Sequence, residues 1–144
     1  MTIIKFEPLY KERPWGGSNL GTFFEREIKL ESNNIGESWD IVDRNEAQSV
    51  VQSDLYKGLS LREIIARDCL TIMGPNWDKE ARFPILVKWL DCRERLSLQV
   101  HPPDEIASTL QGEPKTENWY VAHTTKDAGL FIGFKQVSNK QYFK

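Results

Sequence analysis

Apolar and polar positions change their spacing along this chain, and each spacing predicts a different element. The clearest helical signal begins at Ser60, after which Leu61, Ile64, Ile65 and Cys69 line one face. Ser60 with Glu63 three residues on is a capping-box signature, and Met73-Gly74-Pro75-Asn76 breaks the pattern. From residue 83 onward the spacing becomes that of strands. Phe83–Leu90, Leu96–His101, Asn118–Thr124 and Gly129–Phe134 are short and rich in aromatic or branched residues. Between the second and third of these, Pro103–Leu110 predicts a short helix with Pro at its start and Gly112 just beyond. The first 58 or so residues are punctuated by turn formers, Pro14–Asn19, Ser32–Asn34 and Gly36, around extended pieces at Glu37–Val42 and Ser49–Gln52. Ser138–Lys144 predicts the opening turns of another helix. The class expected is mainly β with one or two short helices. The unfinished last element leads to the expectation of a single region, residues 1–144, cut from something longer.

Composition narrows the function. At 144 residues the chain has the length of one domain, and 40% hydrophobic with 28% charged residues excludes a disordered chain. Nineteen basic against 21 acidic residues, interspersed, give a formal charge of −2 and offer no basic stripe, so nucleic acid is not an expected partner. The longest apolar stretch, Phe83–Leu90, is too short for a bilayer and is interrupted by Lys88, so no membrane is expected either. The first residues, Met-Thr-Ile-Ile-Lys-Phe-Glu-Pro, lack the apolar core of a signal peptide. Two cysteines, Cys69 and Cys92, form neither a metal spacing nor a disulfide framework, and the expected setting is the cytoplasm with reduced thiols.

The richest chemistry lies in Leu96-Ser97-Leu98-Gln99-Val100-His101-Pro102. In a strand, alternation puts Leu96, Leu98 and Val100 on one face and Ser97, Gln99 and His101 on the other. An edge strand whose polar face meets water would give the same alternation. A second cluster, Lys115 and Glu117, leads into Asn118–Ala122, and a neighbouring strand there would let Gln99, His101 and Glu117 converge on one cation. Imidazole with carboxylate suits zinc, with a further strong donor required from elsewhere. His123 shares the parity of Glu117 but lies roughly 20 Å along an extended strand, too far for the same ion. Lys88 is the single ammonium in an otherwise buried strand, so it either snorkels outward or meets an anion. Two cations, Lys88 and Lys115, around one pocket favour a phosphorylated or carboxylated ligand. Trp15, beside Gly16 and Gly17, is the tryptophan placed best for a ligand, and Glu37 is either a pocket carboxylate or a solvated one.

Taken in order, Glu12-Arg13-Pro14-Trp15-Gly16-Gly17, Gly36-Glu37-Ser38-Trp39, Phe83–Lys88, Leu96–Glu105 and Lys115–Tyr120 resemble the N-terminal half of the type I mannose-6-phosphate isomerases, over residues 8 to 122 or so. The resemblance implies a cupin-type jelly roll, incomplete in this chain, and a zinc-dependent interconversion of mannose 6-phosphate and fructose 6-phosphate through a cis-enediol. It places the zinc ligands on Gln99, His101 and Glu117, and substrate-pocket positions on Ser97, Lys88 and Lys115, with Trp15 and Glu37 on loops nearby. Lys115 is the candidate catalytic residue, with the carboxylates as alternative bases. The family's fourth ligand, a second His, and a substrate-linked Arg fall beyond Lys144. The expected partner is therefore a small sugar phosphate, with a homo-oligomer or a missing C-terminal segment completing the molecule. The competing expectation is a cupin-like module that binds a sugar phosphate without turning it over.

Overall fold

The computed structural model describes residues 3–29 and 33–133. The chain divides into two compact units, Met1–Leu98 and Gln99–Lys144. In the first unit the strands β1 (Leu9–Gly17), β2 (Ile35–Ile41) and β5 (Val87–Leu90) form an antiparallel sheet in the order β1-β2-β5. A small hairpin of β3 (Asp43–Arg44) and β4 (Ala47–Gln48) follows β2, and two helices, α1 (Asn19–Phe23) and α2 (Leu61–Met73), complete the unit.

β2 is the central strand, and Ile35, Gly36, Glu37 and Ser38 are buried in succession. That burial on both faces hides the period-two signal a half-exposed strand would show. Close approach in the sheet depends on missing side chains. A Cβ on Gly16 would lie 2.5 Å from the Asn34 carbonyl oxygen, and one on Gly36 would lie 2.5 Å from the Arg13 Cβ. The Gly16-Gly17 pair therefore serves contact, not a left-handed turn; the glycines with positive φ among the described residues are Gly58, Gly74 and Gly133.

The core of the unit gathers Val51, Tyr56, Leu61, Ile64, Ile65 and Cys69, with Phe6, Ile41 and Phe83 packed against it. α2 buries the face expected from its spacing. Its start is a reciprocal capping box: the Glu63 N–H donates to Ser60 Oγ at 3.2 Å, and the Ser60 N–H donates to Glu63 Oε2 at 2.7 Å. Ser60→Ala is expected to lower the thermal midpoint by about 3 °C, read by circular dichroism, because it orphans the Glu63 N–H while leaving the buried face intact. Gly74, at φ 88°, ends the helix.

The mainly β reading holds, with differences in detail. Of Phe83–Leu90, the strand is Val87–Leu90; of Glu37–Val42, it is Ile35–Ile41; and Ser49–Gln52 contributes isolated bridges, Val50 to Ser60 and Val51 to Phe6. Pro103–Leu110 contracts to α3 (Asp104–Ala107) in the second unit. The expected strands at Leu96–His101, Asn118–Thr124 and Gly129–Phe134 are corrected: their described residues, which end at Gly133, form no strand. Alternation specifies which side chains would share a face, but a strand also needs a neighbour to accept and donate its backbone hydrogen bonds. Without that neighbour among the described residues, the apolar positions stand in the open, Leu98 at 74%, Tyr120 at 82% and Ile132 at 86% exposure. The expected helix at Ser138–Lys144 lies outside the described residues.

Candidate functional site

Residues opposite one another on antiparallel strands share a sheet face, so the register places Leu9, Lys11, Glu37, Trp39, Lys88 and Leu90 on one side. Glu37 is the centre of that face, with its side chain only 7% exposed. A buried carboxylate requires compensation. Its Oε2 accepts from an Arg13 guanidinium N–H at 2.9 Å and from Trp39 Nε1–H at 2.9 Å. Its Oε1 faces Lys88 Nζ at 3.6 Å. Of the two expectations for Lys88, meeting an anion is the one realised, and the anion is Glu37. Of the two for Glu37, the solvated carboxylate is not what the structure shows, since the side chain is buried. Arg13 reaches this centre from β1, whose register shifts twice between Lys11 and Gly17; such bulges re-aim side chains.

Trp15 is half-buried on β1, and its carbonyl accepts from the Arg93 and Glu94 N–H groups at 3.0 and 3.2 Å. Those bonds fasten the segment after β5 to β1. Asp91, at the start of that segment, accepts from the Asn19 N–H at 2.6 Å and from its side-chain amide at 3.1 Å. The exposed Cys92 thiol has its pKa raised by partial burial, then by the charges of Asp91 and Glu37, while Lys88 acts in the opposite sense. On the reverse face Arg26 forms a paired contact with Asp40 at 2.9 and 3.2 Å and reaches Ser38, tying the chain after α1 to β2. Ser97 is exposed on an irregular stretch near the end of the first unit.

In the second unit Gln99 and His101 are exposed on the irregular segment before α3. Lys115 Nζ and Glu117 Oε1 form an ion pair at 2.8 Å, so the two polar side chains of the Lys-x-Glu motif do meet, although no strand holds them. No three His, Cys, Asp or Glu side chains converge among the described residues. The Gln99, His101 and Glu117 set supplies two side chains of those types, and an amide oxygen, an imidazole nitrogen and a carboxylate oxygen together are donors that suit a divalent metal. Arg13, Trp39 and Lys11 are residues of the Glu37 face that the sequence did not single out. The signal available for Arg13 was indirect: a buried Glu37 demands a cation, and Arg13 belongs to the same loop motif as Trp15.

The family model for the phosphomannose isomerase type I catalytic domain matches residues 3–126. The chain belongs to the type I phosphomannose isomerase family. It is 38% identical over 138 residues to the mannose-6-phosphate isomerase ManA of Bacillus subtilis, a match covering 94% of this chain and 42% of the relative. It is 35% identical over 141 residues to the mannose-6-phosphate isomerase of Streptococcus mutans, covering 94% of this chain and 43% of that one. The crystal structure of the mannose 6-phosphate isomerase from Bacillus subtilis superposes with a TM-score of 0.67 at 34% identity, over 79% of this chain and 35% of that structure. The phosphomannose isomerase fold is thus the mainly β, cupin-like one expected, and this chain spans less than half the length of those relatives. Its matched span holds all the motifs described above, from Arg13 through Glu117. No helix among the described residues is long and apolar enough to cross a membrane.

Proposed function

We propose that this chain is the N-terminal part of a cytoplasmic, metal-dependent aldose–ketose isomerase acting on mannose 6-phosphate and fructose 6-phosphate. The observation that carries the reading is the family match over residues 3–126, a span that contains both the Gln-x-His and the Lys-x-Glu motifs. Gln99, His101 and Glu117 would hold the metal, zinc by donor chemistry, with a fourth ligand from outside these 144 residues. A bound divalent ion supplies Lewis acidity that lowers the cost of negative charge on the sugar oxygens.

The reaction transfers a proton from C2 to C1 and another from O2 to O1, through a cis-enediol, with no net oxidation. Lys115, whose Nζ pairs with Glu117 Oε1 at 2.8 Å, is our candidate catalytic residue, with the carboxylates as alternative bases for the carbon-bound proton. Lys88 and Ser97 bind the substrate's polar groups, and the phosphate, remote from the reacting carbons, contributes alignment. Trp15 on β1 and Glu37 on β2 are the further candidates for contacting the substrate. Residues 1–144 are proposed as a single isomerase region.

The complete protein is expected to interconvert the two sugar phosphates in a coupled assay and to bind mannose 6-phosphate by calorimetry. Binding without turnover in the complete, metal-loaded protein would establish the non-catalytic module and overturn the isomerase reading.

A further inference from the structure

On the Glu37 face two cationic side chains, Arg13 and Lys88, meet a single acid. The acid does not treat them alike. Glu37 gives Arg13 a contact at 2.9 Å, shorter than the 3.6 Å that separates it from Lys88 Nζ. The same oxygen that accepts from Arg13 accepts from Trp39, so two fixed donors hold the carboxylate in one orientation. Lys11 is occupied over the Trp39 ring at 5.0 Å. Lys88, at 3.6 Å, is therefore too far from Glu37 to spend its ammonium hydrogens fully on it. Its side chain keeps 20% exposure, so the charge has access to a ligand.

From this geometry we infer that Arg13 is a positioning residue: by neutralising Glu37 it keeps Lys88 uncommitted and available to an anionic group of the substrate. The inference rests on the isomerase reading for the identity of that anion, the sugar phosphate. The guanidinium suits the task because it stays charged and presents several fixed donors, whereas removing it would leave a buried carboxylate whose nearest charged alternative is Lys88. Glu37 would then draw Lys88 into a short pair, and the ammonium would be lost to the ligand. Among the described residues, Glu37 on β2 and Cys92 directly after β5 interact with Lys88; Arg13 on β1 pairs with Glu37, Lys11 on β1 lies over Trp39, and Asp91, which acts on Cys92, is engaged by Asn19.

The test uses the complete protein with Arg13→Gln, Arg13→Lys and the double variant Arg13→Gln/Glu37→Gln. Arg13→Gln is expected to weaken mannose 6-phosphate binding about tenfold by calorimetry, with KM rising more than kcat falls. Arg13→Lys, which keeps the charge, should stay within about threefold of the parent. The double variant should recover most of the loss, because no carboxylate remains to capture Lys88. If Arg13 touched the phosphate itself, or only held the sheet together, adding Glu37→Gln would recover nothing, and the inference would be overturned.

Cys92 provides a readout that needs no sugar phosphate. Its thiolate is disfavoured by Glu37 and favoured by Lys88, so alkylation by iodoacetamide at pH 8 should slow about two- to threefold in Arg13→Gln and, with the Glu37 charge gone, reach or exceed the parent rate in the double variant. Unchanged alkylation in Arg13→Gln overturns the inference even if the parent proves not to bind mannose 6-phosphate. Failure of the parent to bind, with the alkylation pattern intact, removes the isomerase reading alone.

Discussion

His101→Ala in the complete protein is expected to abolish stoichiometric zinc and to lower kcat/KM by about a thousandfold or more. The expectation follows from the unequal quality of the donors. Gln99 offers a neutral amide oxygen, a weak partner for zinc, and the Glu117 carboxylate is shared with Lys115 at 2.8 Å. The imidazole is the strong borderline donor of the set, so its loss leaves little to retain the ion. Metal content after dialysis, with the coupled assay on the same sample, reads both effects. His123→Ala is the matched control. That side chain is exposed and outside both motifs, and its removal should alter neither zinc content nor rate. Full zinc and full activity in His101→Ala would end the proposed ligand set. Loss of zinc in both variants would point to damaged folding instead.

The sequence made some of this molecule legible and concealed the rest, for reasons that differ by residue. α2 was readable because its stop and start signals are local: Ser60 and Glu63 cap each other, and the apolar spacing needs no distant partner. β1 was not, since Pro14-Trp15-Gly16-Gly17 reads as a turn, and its strand character comes from pairing with β2 across two register shifts. The hairpin of β3 and β4 is too short to show a period. At Leu96–His101 the error ran the other way, from a genuine alternation to a strand for which no neighbour exists among the described residues. The same limit applies to the site. The nearness of Lys115 to Glu117 is legible from spacing, because two residues apart is close in any extended backbone, whereas their ion pair is shown by the structure. The partner of Lys88 lay 51 positions away, and only the β2–β5 register brings Glu37 beside it. Local chemistry survives in a sequence, whereas compensation of a buried charge is a property of the sheet.

Asp43→Ala is expected to destabilise the folded first unit by about 3 kcal/mol, or roughly 10 °C in the thermal midpoint. Asp43 is a buried acid, its side chain 1% exposed, and it binds three separate parts of the unit. It accepts from Gln48 Nε2 at 2.7 Å within the hairpin, from Arg62 Nε at 2.9 Å on α2, and from the Phe83 N–H at 2.9 Å on the run into β5. Alanine would leave the Phe83 N–H without its acceptor and loosen the approach to the strand that carries Lys88. Burial acts to raise the Asp43 pKa, but the bonds from Gln48, Phe83 and Arg62 outweigh it and hold the carboxyl below its ordinary value. The sign of the pH dependence follows. A lowered folded pKa means that the stabilisation is complete above the unfolded value of about 3.9 and is lost as pH falls through the folded one. Thermal melts from neutral pH down to about pH 3 should therefore show a steep acid limb in the parent and a shallower one in Asp43→Asn, which keeps the shape and loses the charge. Parallel acid limbs would show that the Asp43 carboxylate does not carry this stability, and that neutral amide hydrogen bonds suffice to join hairpin, helix and strand.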